Sequence, residues 1–362
     1  VIGFDPSDEQ QLIVETVHHF AADEIRPLAR ECDEAAKLPE SVLARAYELG
    51  LVANALPESC GGGEERSAVT GALVAEELAW GDLAIALAIL SPGLVALPVA
   101  EFGSETQRDT VLPRFTSAHY TPASLALLEP GLAADPFHPQ ATAQRDGESY
   151  VLAGRKCLVP WQDGLGALLV FANEEGTPQG FLVPVDAAEL SVEPSSLMGI
   201  RALPTAELAL DGVRVPAENR LGGASGSDLR RILTEGRVAL AACGVGVARA
   251  AFEVARDYAK EREVFGVKVA QKQAIAFKLA DMAIEIDAAR LLTWEAAWKL
   301  DQGEDALKAA TLAYQQVRRV ALEAADGAVQ VFGGHGYIRD YLPEMHLRNA
   351  RGFASFEALA LV

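Results

Sequence analysis

Apolar residues at Leu12, Val14, Val17 and Phe20 follow a Ser7-Asp8-Glu9-Gln10 start whose serine and acidic residues suit a helix N-terminus. Residues 41–52, 67–80 and 104–115 repeat this amphipathic pattern, so the first 120 residues read as mostly helical. The pattern then changes. Tyr150–Leu152, Ala167–Ala172, Phe181–Val183 and Leu208–Leu210 are short strand-like runs, set off by turn pairs such as Asp146-Gly147 and Asp211-Gly212. Further on, Leu279, Met282, Ile286, Ala289 and Leu292–Thr293 recur at spacings of three and four, the stripe of a long helix.

Proline placement sharpens the division. Of 18 prolines, 17 lie at or before Pro216 and the last is Pro343. The stretch between them is rich in Ala, Leu, Glu, Arg and Lys and reads as long helices. The predicted fold class is mainly α with a central β domain (α+β). It comprises a helical domain over 1–120, a middle β-barrel-like domain over 121–222 and a four-helix bundle over 223–362.

Charge narrows the partners. With 31 Lys+Arg against 51 Asp+Glu the net charge is −20, which repels phosphate backbones and anionic lipid, so no nucleic acid and no membrane partner is expected. The uncharged stretch 83–100 is broken by Ser91-Pro92-Gly93 and Pro98, and a buried helix-turn-helix is expected there. Cys32, Cys60, Cys157 and Cys243 lie far apart with no CxxC, which fits a reducing cytoplasm and no metal site. No secretory leader is read behind Val1.

Most local motifs have plain readings. Gly244-Val245-Gly246 lacks the third glycine of a dinucleotide fingerprint, and small residues for close helix approach explain it. Gly61-Gly62-Gly63 is a loop without a following Lys-Ser/Thr. His18 and His19 are adjacent and cannot share a metal from one helix face. No Ser-His-Asp or Cys-His set is assembled from local signatures.

Several segments in order say more. Arg262-Glu263-Val264-Phe265-Gly266 precedes Gln273, and Gln330-Val331-Phe332-Gly333-Gly334-His335-Gly336-Tyr337 runs on to Arg348-Asn349-Ala350-Arg351. Upstream lie Pro57-Glu58-Ser59-Cys60-Gly61-Gly62, Gly103-Ser104-Glu105 with Gln107 and Leu112-Pro113, and Met198-Gly199-Ile200-Arg201 with 211–216 and Asn219. Together these resemble the acyl-CoA dehydrogenase family over nearly the whole chain.

The resemblance implies FAD-dependent α,β-dehydrogenation of an acyl-CoA thioester, in which a carboxylate removes the α-proton and a hydride leaves the β carbon for FAD. Counting from Arg348 in the family register puts the base at Glu357. The other position used in the family precedes the arginine matching Arg237; here it is Gly236, which has no side chain to serve. Glu235, one residue further back, is expected to face elsewhere. Arg262, Phe265, Gln273, Gln330 and Gly334 match positions that hold the FAD of a neighbouring subunit, which implies a homotetramer or a heterotetramer with a related subunit. An electron-transferring flavoprotein is the implied acceptor. Leu83–Leu90 and the Tyr337–Tyr341 region are expected to line the acyl pocket.

Departures cluster on the flavin-ring side. The usual T-E-P-x-A-G-S-D reads Leu128-Glu129-Pro130-Gly131-Leu132-Ala133-Ala134-Asp135, so Leu128 and Ala134 replace two hydroxyls. Leu158-Val159-Pro160 stands where tryptophan-isoleucine-threonine is usual, and an alternating strand sends Trp161 to the opposite face from Leu158. Ala358-Leu359 follows Glu357 in place of glycine-threonine, and the sequence ends at Val362, before the family's last helix. Two readings stay open. One is a working dehydrogenase with an apolar ring pocket. The other is a non-flavin-binding subunit of a hetero-oligomer that lends Arg262 and Gln330–Gly334 to a partner's FAD. A third, an oxidase using oxygen, is also open.

Overall fold

Ser7 and Gln10 cap the first helix reciprocally: Gln10 N–H donates to Ser7 Oγ at 3.2 Å and Ser7 N–H to Gln10 Oε1 at 3.0 Å. The computed structural model describes residues 5–63, 66–117, 119–132 and 134–362. Its first part holds α1 (Asp8–Phe20), α2 (Ala29–Ala35), α3 (Glu40–Glu48), α4 (Ala68–Gly81), α5 (Leu83–Leu90), α6 (Gly93–Phe102) and α7 (Glu105–Val111). Asp82 separates α4 from α5 and caps the latter, accepting from Ile85 N–H at 3.0 Å.

The apolar stretch 83–102 is a pair of core helices with a turn at Ser91-Pro92, and Pro98 is taken into α6 rather than ending it. Its hydrophobicity goes into packing, since 94% of its most apolar 18-residue window is buried. Leu83–Leu90, expected to line an acyl pocket, is buried along its whole length, from 0% to 7% exposed.

The middle of the chain forms one curled sheet. Its strands are β1 (Ala123–Ala126), β2 (Thr142–Asp146), β3 (Ser149–Pro160), β4 (Ala167–Glu174), β5 (Thr177–Val183), β6 (Leu190–Ser195) and β7 (Thr205–Pro216), in the order β1-β4-β2-β3-β7-β6 with β5 also on β4. β1, β2 and β6 were not legible from hydrophobic pattern. β1 has four residues, all buried, while β2 and β6 are mostly exposed and polar, so neither shows a clean alternation.

The last part is built on α8 (Leu229–Glu261), followed by a small hairpin, β8 (Glu263–Val264) and β9 (Val267–Lys268), then α9 (Gln273–Asp301), α10 (Leu307–Phe332) and α11 (Pro343–Phe353). Of the predicted stripe on α9, Met282, Ile286, Ala289 and Thr293 are buried, Leu279 is half-buried and Leu292 is exposed. Gly244 and Gly246 let α8 sit against its neighbours. A Cβ at Gly244 would lie 2.3 Å from Val317 Cγ1, and one at Gly246 would lie 2.2 Å from the Glu76 carbonyl oxygen. The architecture is therefore α+β: helical domain, curled sheet, helical bundle.

One junction ties the three parts together. Arg348 on α11 donates through both terminal nitrogens to Asp33 on α2, at 2.9 and 2.6 Å, and to the Met198 carbonyl at 3.1 Å. Asn349 accepts from Ile200 N–H at 2.7 Å, and a Cβ at Gly199 would lie 2.1 Å from the Arg348 carbonyl oxygen. The Met198–Arg201 and Arg348–Arg351 segments are thus structural partners. The carboxylates of Asp33 and Glu344 hold the Arg348 guanidinium well above its ordinary pKa.

Candidate active site

Glu357 sits just beyond α11, on a turn that returns the chain to α8. Tyr314 fixes this turn from α10, its hydroxyl donating to the Phe356 carbonyl at 2.5 Å. Burial, with the negative charge of Glu357 nearby, pushes the Tyr314 phenol up, so it stays a neutral donor. Ala358 follows with φ +49°, a left-handed conformation that a non-glycine residue adopts at a cost of about 1–3 kcal/mol.

The Glu357 carboxylate meets Arg237 side-on. Arg237 Nη2 donates to Oε1 at 2.9 Å and Nε to Oε2 at 3.1 Å, a bidentate pair. Arg237 Nη1 donates to Thr311 Oγ1 at 2.8 Å, and the guanidinium carbon lies 5.0 Å from the Phe137 ring centroid. The two side chains of the ion pair are only 11% and 16% exposed, so the carboxylate is held largely out of water.

Gly236 underlies this turn. A Cβ there would lie 2.9 Å from Ala358 Cα and 3.1 Å from its Cβ. A carboxylate-bearing side chain at 236 and the Glu357 turn therefore exclude one another. Glu235 does face elsewhere. It pairs with Arg66 at 2.6 Å and Arg231 at 2.9 Å, and burial raises its carboxyl to about 7.

The flavin-segment positions lie on the sheet. Lys156, fully buried, donates to Glu129 Oε1 at 2.7 Å and to the Leu127 carbonyl at 3.1 Å. Burial pushes its ammonium down and Glu129 partly restores it. Glu129 also accepts from Gln140 N–H at 2.6 Å and Ala141 N–H at 2.8 Å, closing the loop that carries Leu128 and Ala134. This loop borders an open depression of about 490 Å³ lined by Glu129, Gly131, Ala134, Gln140, Gly154 and Arg155.

Leu158 has φ +56° in a β-bulge between Lys156 and Val159. Its side chain packs on the helical core, whereas Trp161, just past the end of the strand, packs on the sheet core. Ala133 lies outside the described residues.

The remaining positions gather at the far end of the bundle. α8 and α9 are joined by the short hairpin, and α9 and α10 by residues 302–306, so the end of α8, the start of α9 and the end of α10 share one end. Arg262 caps α8 there and is exposed, its side chain without a protein partner among the described residues; Glu263 pairs with Lys268 instead. Phe265 is 93% exposed at φ +56°, and Gln273 and Gln330 are exposed. Gly333 is left-handed and nothing stands within 4 Å of a Cβ at Gly334.

Tyr258 anchors that end, stacked 3.8 Å from Phe332 and hydrogen-bonded to His335 Nδ1 at 2.9 Å. Exposed guanidinium, amides and open glycine backbone suit the phosphates and polar groups of an extended cofactor approached from outside. They do not suit the Glu357 of the same chain. Arg262 lies 25 residues beyond Arg237 on one helix, about 38 Å at 1.5 Å per residue. The Tyr337–Tyr341 stretch belongs to that same distant end and so does not line the space around its own Glu357.

Known proteins share this organisation. The acyl-CoA dehydrogenase N-terminal domain family matches residues 7–119, and the acyl-CoA dehydrogenase C-terminal domain family matches residues 227–357. A probable acyl-CoA dehydrogenase of Bacillus subtilis is 36% identical, covering 97% of this chain and 94% of the relative. The short-chain specific mitochondrial acyl-CoA dehydrogenase of Sus scrofa is 34% identical over 94% of this chain and 84% of its own length. Among solved structures, butyryl-CoA dehydrogenase from Megasphaera elsdenii superposes with a TM-score of 0.89 at 29% identity, covering 97% and 95% of the two chains. A glutaryl-CoA dehydrogenase from Mycobacterium smegmatis in complex with FADH2 gives 0.88 at 26% identity, covering 97% and 91%. The chain belongs to the acyl-CoA dehydrogenase family, FAD-dependent oxidoreductases acting on CH–CH bonds.

Proposed function

We propose that this protein dehydrogenates an acyl-CoA thioester between its α and β carbons, with Glu357 as the base that removes the α-proton. The observation that carries this reading is the Glu357–Arg237 pair. It is a largely buried carboxylate, oriented by a bidentate guanidinium and seated on Gly236, the one other position from which the family supplies its base. Arg237 and Thr311 hold the carboxylate's direction, and burial keeps competing water from it. Bound FAD supplies the acceptor for the β-hydride.

Arg262, Phe265, Gln273, Gln330 and Gly334 act on a neighbouring subunit's FAD, which makes the working unit at least a dimer and, by family likeness, a tetramer. The 38 Å between Arg262 and Arg237 supports this division of labour. On the ring side, Leu128, Ala134 and Leu158 offer apolar and backbone contacts where hydroxyls are absent. Each lost hydrogen bond is worth about 0.5–1.5 kcal/mol, which an apolar pocket can offset.

An electron-transferring flavoprotein is the proposed acceptor, and the site of action is the cytoplasm. A chain from work on the electron transferring flavoprotein of Acidaminococcus fermentans has the same fold, with a TM-score of 0.90 at 30% identity over 98% and 95% of the chains. The visible absorption spectrum of the protein purified alone, then loaded with FAD and freed of excess, tests the reading. One flavin per chain, bleached anaerobically by acyl-CoA, is expected. A folded, homogeneous protein that takes up no flavin would favour the hetero-oligomer reading.

A further inference from the structure

Phe137 occupies an unusual place. It lies in Asp135-Pro136-Phe137-His138-Pro139, on the flavin-side loop of the sheet, yet its half-buried ring reaches across to α8 and covers the face of the Arg237 guanidinium at 5.0 Å. At its edges that guanidinium donates to both oxygens of Glu357 and to Thr311. The ring also packs against the apolar cluster that includes Phe115, Leu233 and Ala358, the residue next to Glu357.

The loop that carries the ring is tied down. Prolines on both sides of Phe137-His138 fix two φ angles. The Asp135 carboxylate accepts from Phe137 N–H at 2.9 Å and pairs with His138 Nδ1 at 2.7 Å, an Asx turn that sets the backbone at Phe137. Behind it, Glu129 takes the N–H groups of Gln140 and Ala141 and is itself held by buried Lys156. A stiff loop thus carries one large side chain to the pair that presents the base. Beneath the Glu357 turn, Gly236 and Ala358 approach too closely to admit a methyl group between them.

We propose that Phe137 is a specificity-determining residue: its ring walls one side of the space before Glu357, admitting slender acyl thioesters and excluding those with branched or aromatic groups near the reacting carbons. The inference rests on the reading of Glu357 as the base. A rigid wall discriminates by steric exclusion, and one or two methylene equivalents in such a pocket are worth about 10–200-fold.

The test uses the FAD-loaded protein with butyryl-CoA and 3-phenylpropanoyl-CoA. Phe137→Ala is expected to raise the aromatic-to-linear ratio of kcat/KM at least tenfold, and Phe137→Leu, which keeps most of the bulk, by less than threefold. On a Glu357→Gln background, dissociation constants for the same two thioesters, read by calorimetry, are expected to move in the same direction with Phe137→Ala. Ratios within twofold of wild type in both rate and binding would overturn the proposal. A Glu357→Gln protein that still turns over would overturn the base assignment instead, while the binding ratio would still decide the role of Phe137.

Discussion

Replacing Gly236 by alanine separates the stability of the bundle from the placement of the base. The position is buried inside α8, where alanine is favoured over glycine by about 1 kcal/mol. Against that gain, the new methyl would stand 2.9 Å from Ala358 Cα and 3.1 Å from Ala358 Cβ. Carbon atoms rest at about 3.5–4.0 Å, so the turn must retreat by up to about 1 Å. Overpacking of this kind costs about 1–3 kcal/mol, which leaves a net destabilisation of about 0–2 kcal/mol.

The kinetic effect of Gly236→Ala is larger. Ala358 is already left-handed at φ +49° and has little room to rearrange, so the retreat carries Glu357 with it. A reacting group misplaced by about 1 Å loses about 100-fold in rate. Urea unfolding and anaerobic stopped-flow flavin bleaching with a short acyl-CoA, on the same FAD-loaded preparation, give the two numbers. A bleaching rate within threefold of wild type, with stability changed by less than about 2 kcal/mol, would refute the account of this turn.

Two further predictions concern other parts of the chain. Arg262→Ala removes an exposed guanidinium that has no protein partner among the described residues, so the unfolding midpoint should hardly move while FAD per chain after gel filtration falls; full occupancy would mark Arg262 as a plain surface residue. His346 is buried beside Arg26 and Arg30, with Glu344 nearby, and burial first, then the two arginines, push its imidazole down to about 3. Below pH 6.5 the unfolded chain binds a proton that the native one refuses, so wild-type stability should fall by about 1.4 kcal/mol per pH unit relative to His346→Gln. Parallel curves for the two proteins between pH 7 and 5 would contradict that reading.

The helical parts were legible because long, proline-free segments with one buried stripe announce themselves; the α9 positions Met282, Ile286, Ala289 and Thr293 were read correctly from spacing alone. The sheet was half legible. β2 and β6 owe their existence to ladder bonds with β3 and β7 rather than to an apolar face, and such pairing leaves no local trace. At the site, family register pointed to Glu357 and Arg237, but three supporting residues escaped notice. Thr311, Tyr314 and Phe137 reach the pair from α10 and from a loop of the sheet, distant in sequence and unmarked by any motif. Pro136 and Pro139 were a usable signal for Phe137, since two prolines around a single aromatic mark a loop built to hold that ring in place.

Single-turnover flavin reduction in Glu357→Gln tests the central claim most directly. The substitution keeps the shape and one acceptor oxygen toward Arg237 while removing the basic carboxylate. The FAD-loaded variant should bind acyl-CoA, seen as a shift of the flavin bands, yet bleach at least about 100-fold more slowly than wild type. Bleaching at the wild-type rate would contradict the assignment of the α-proton to Glu357.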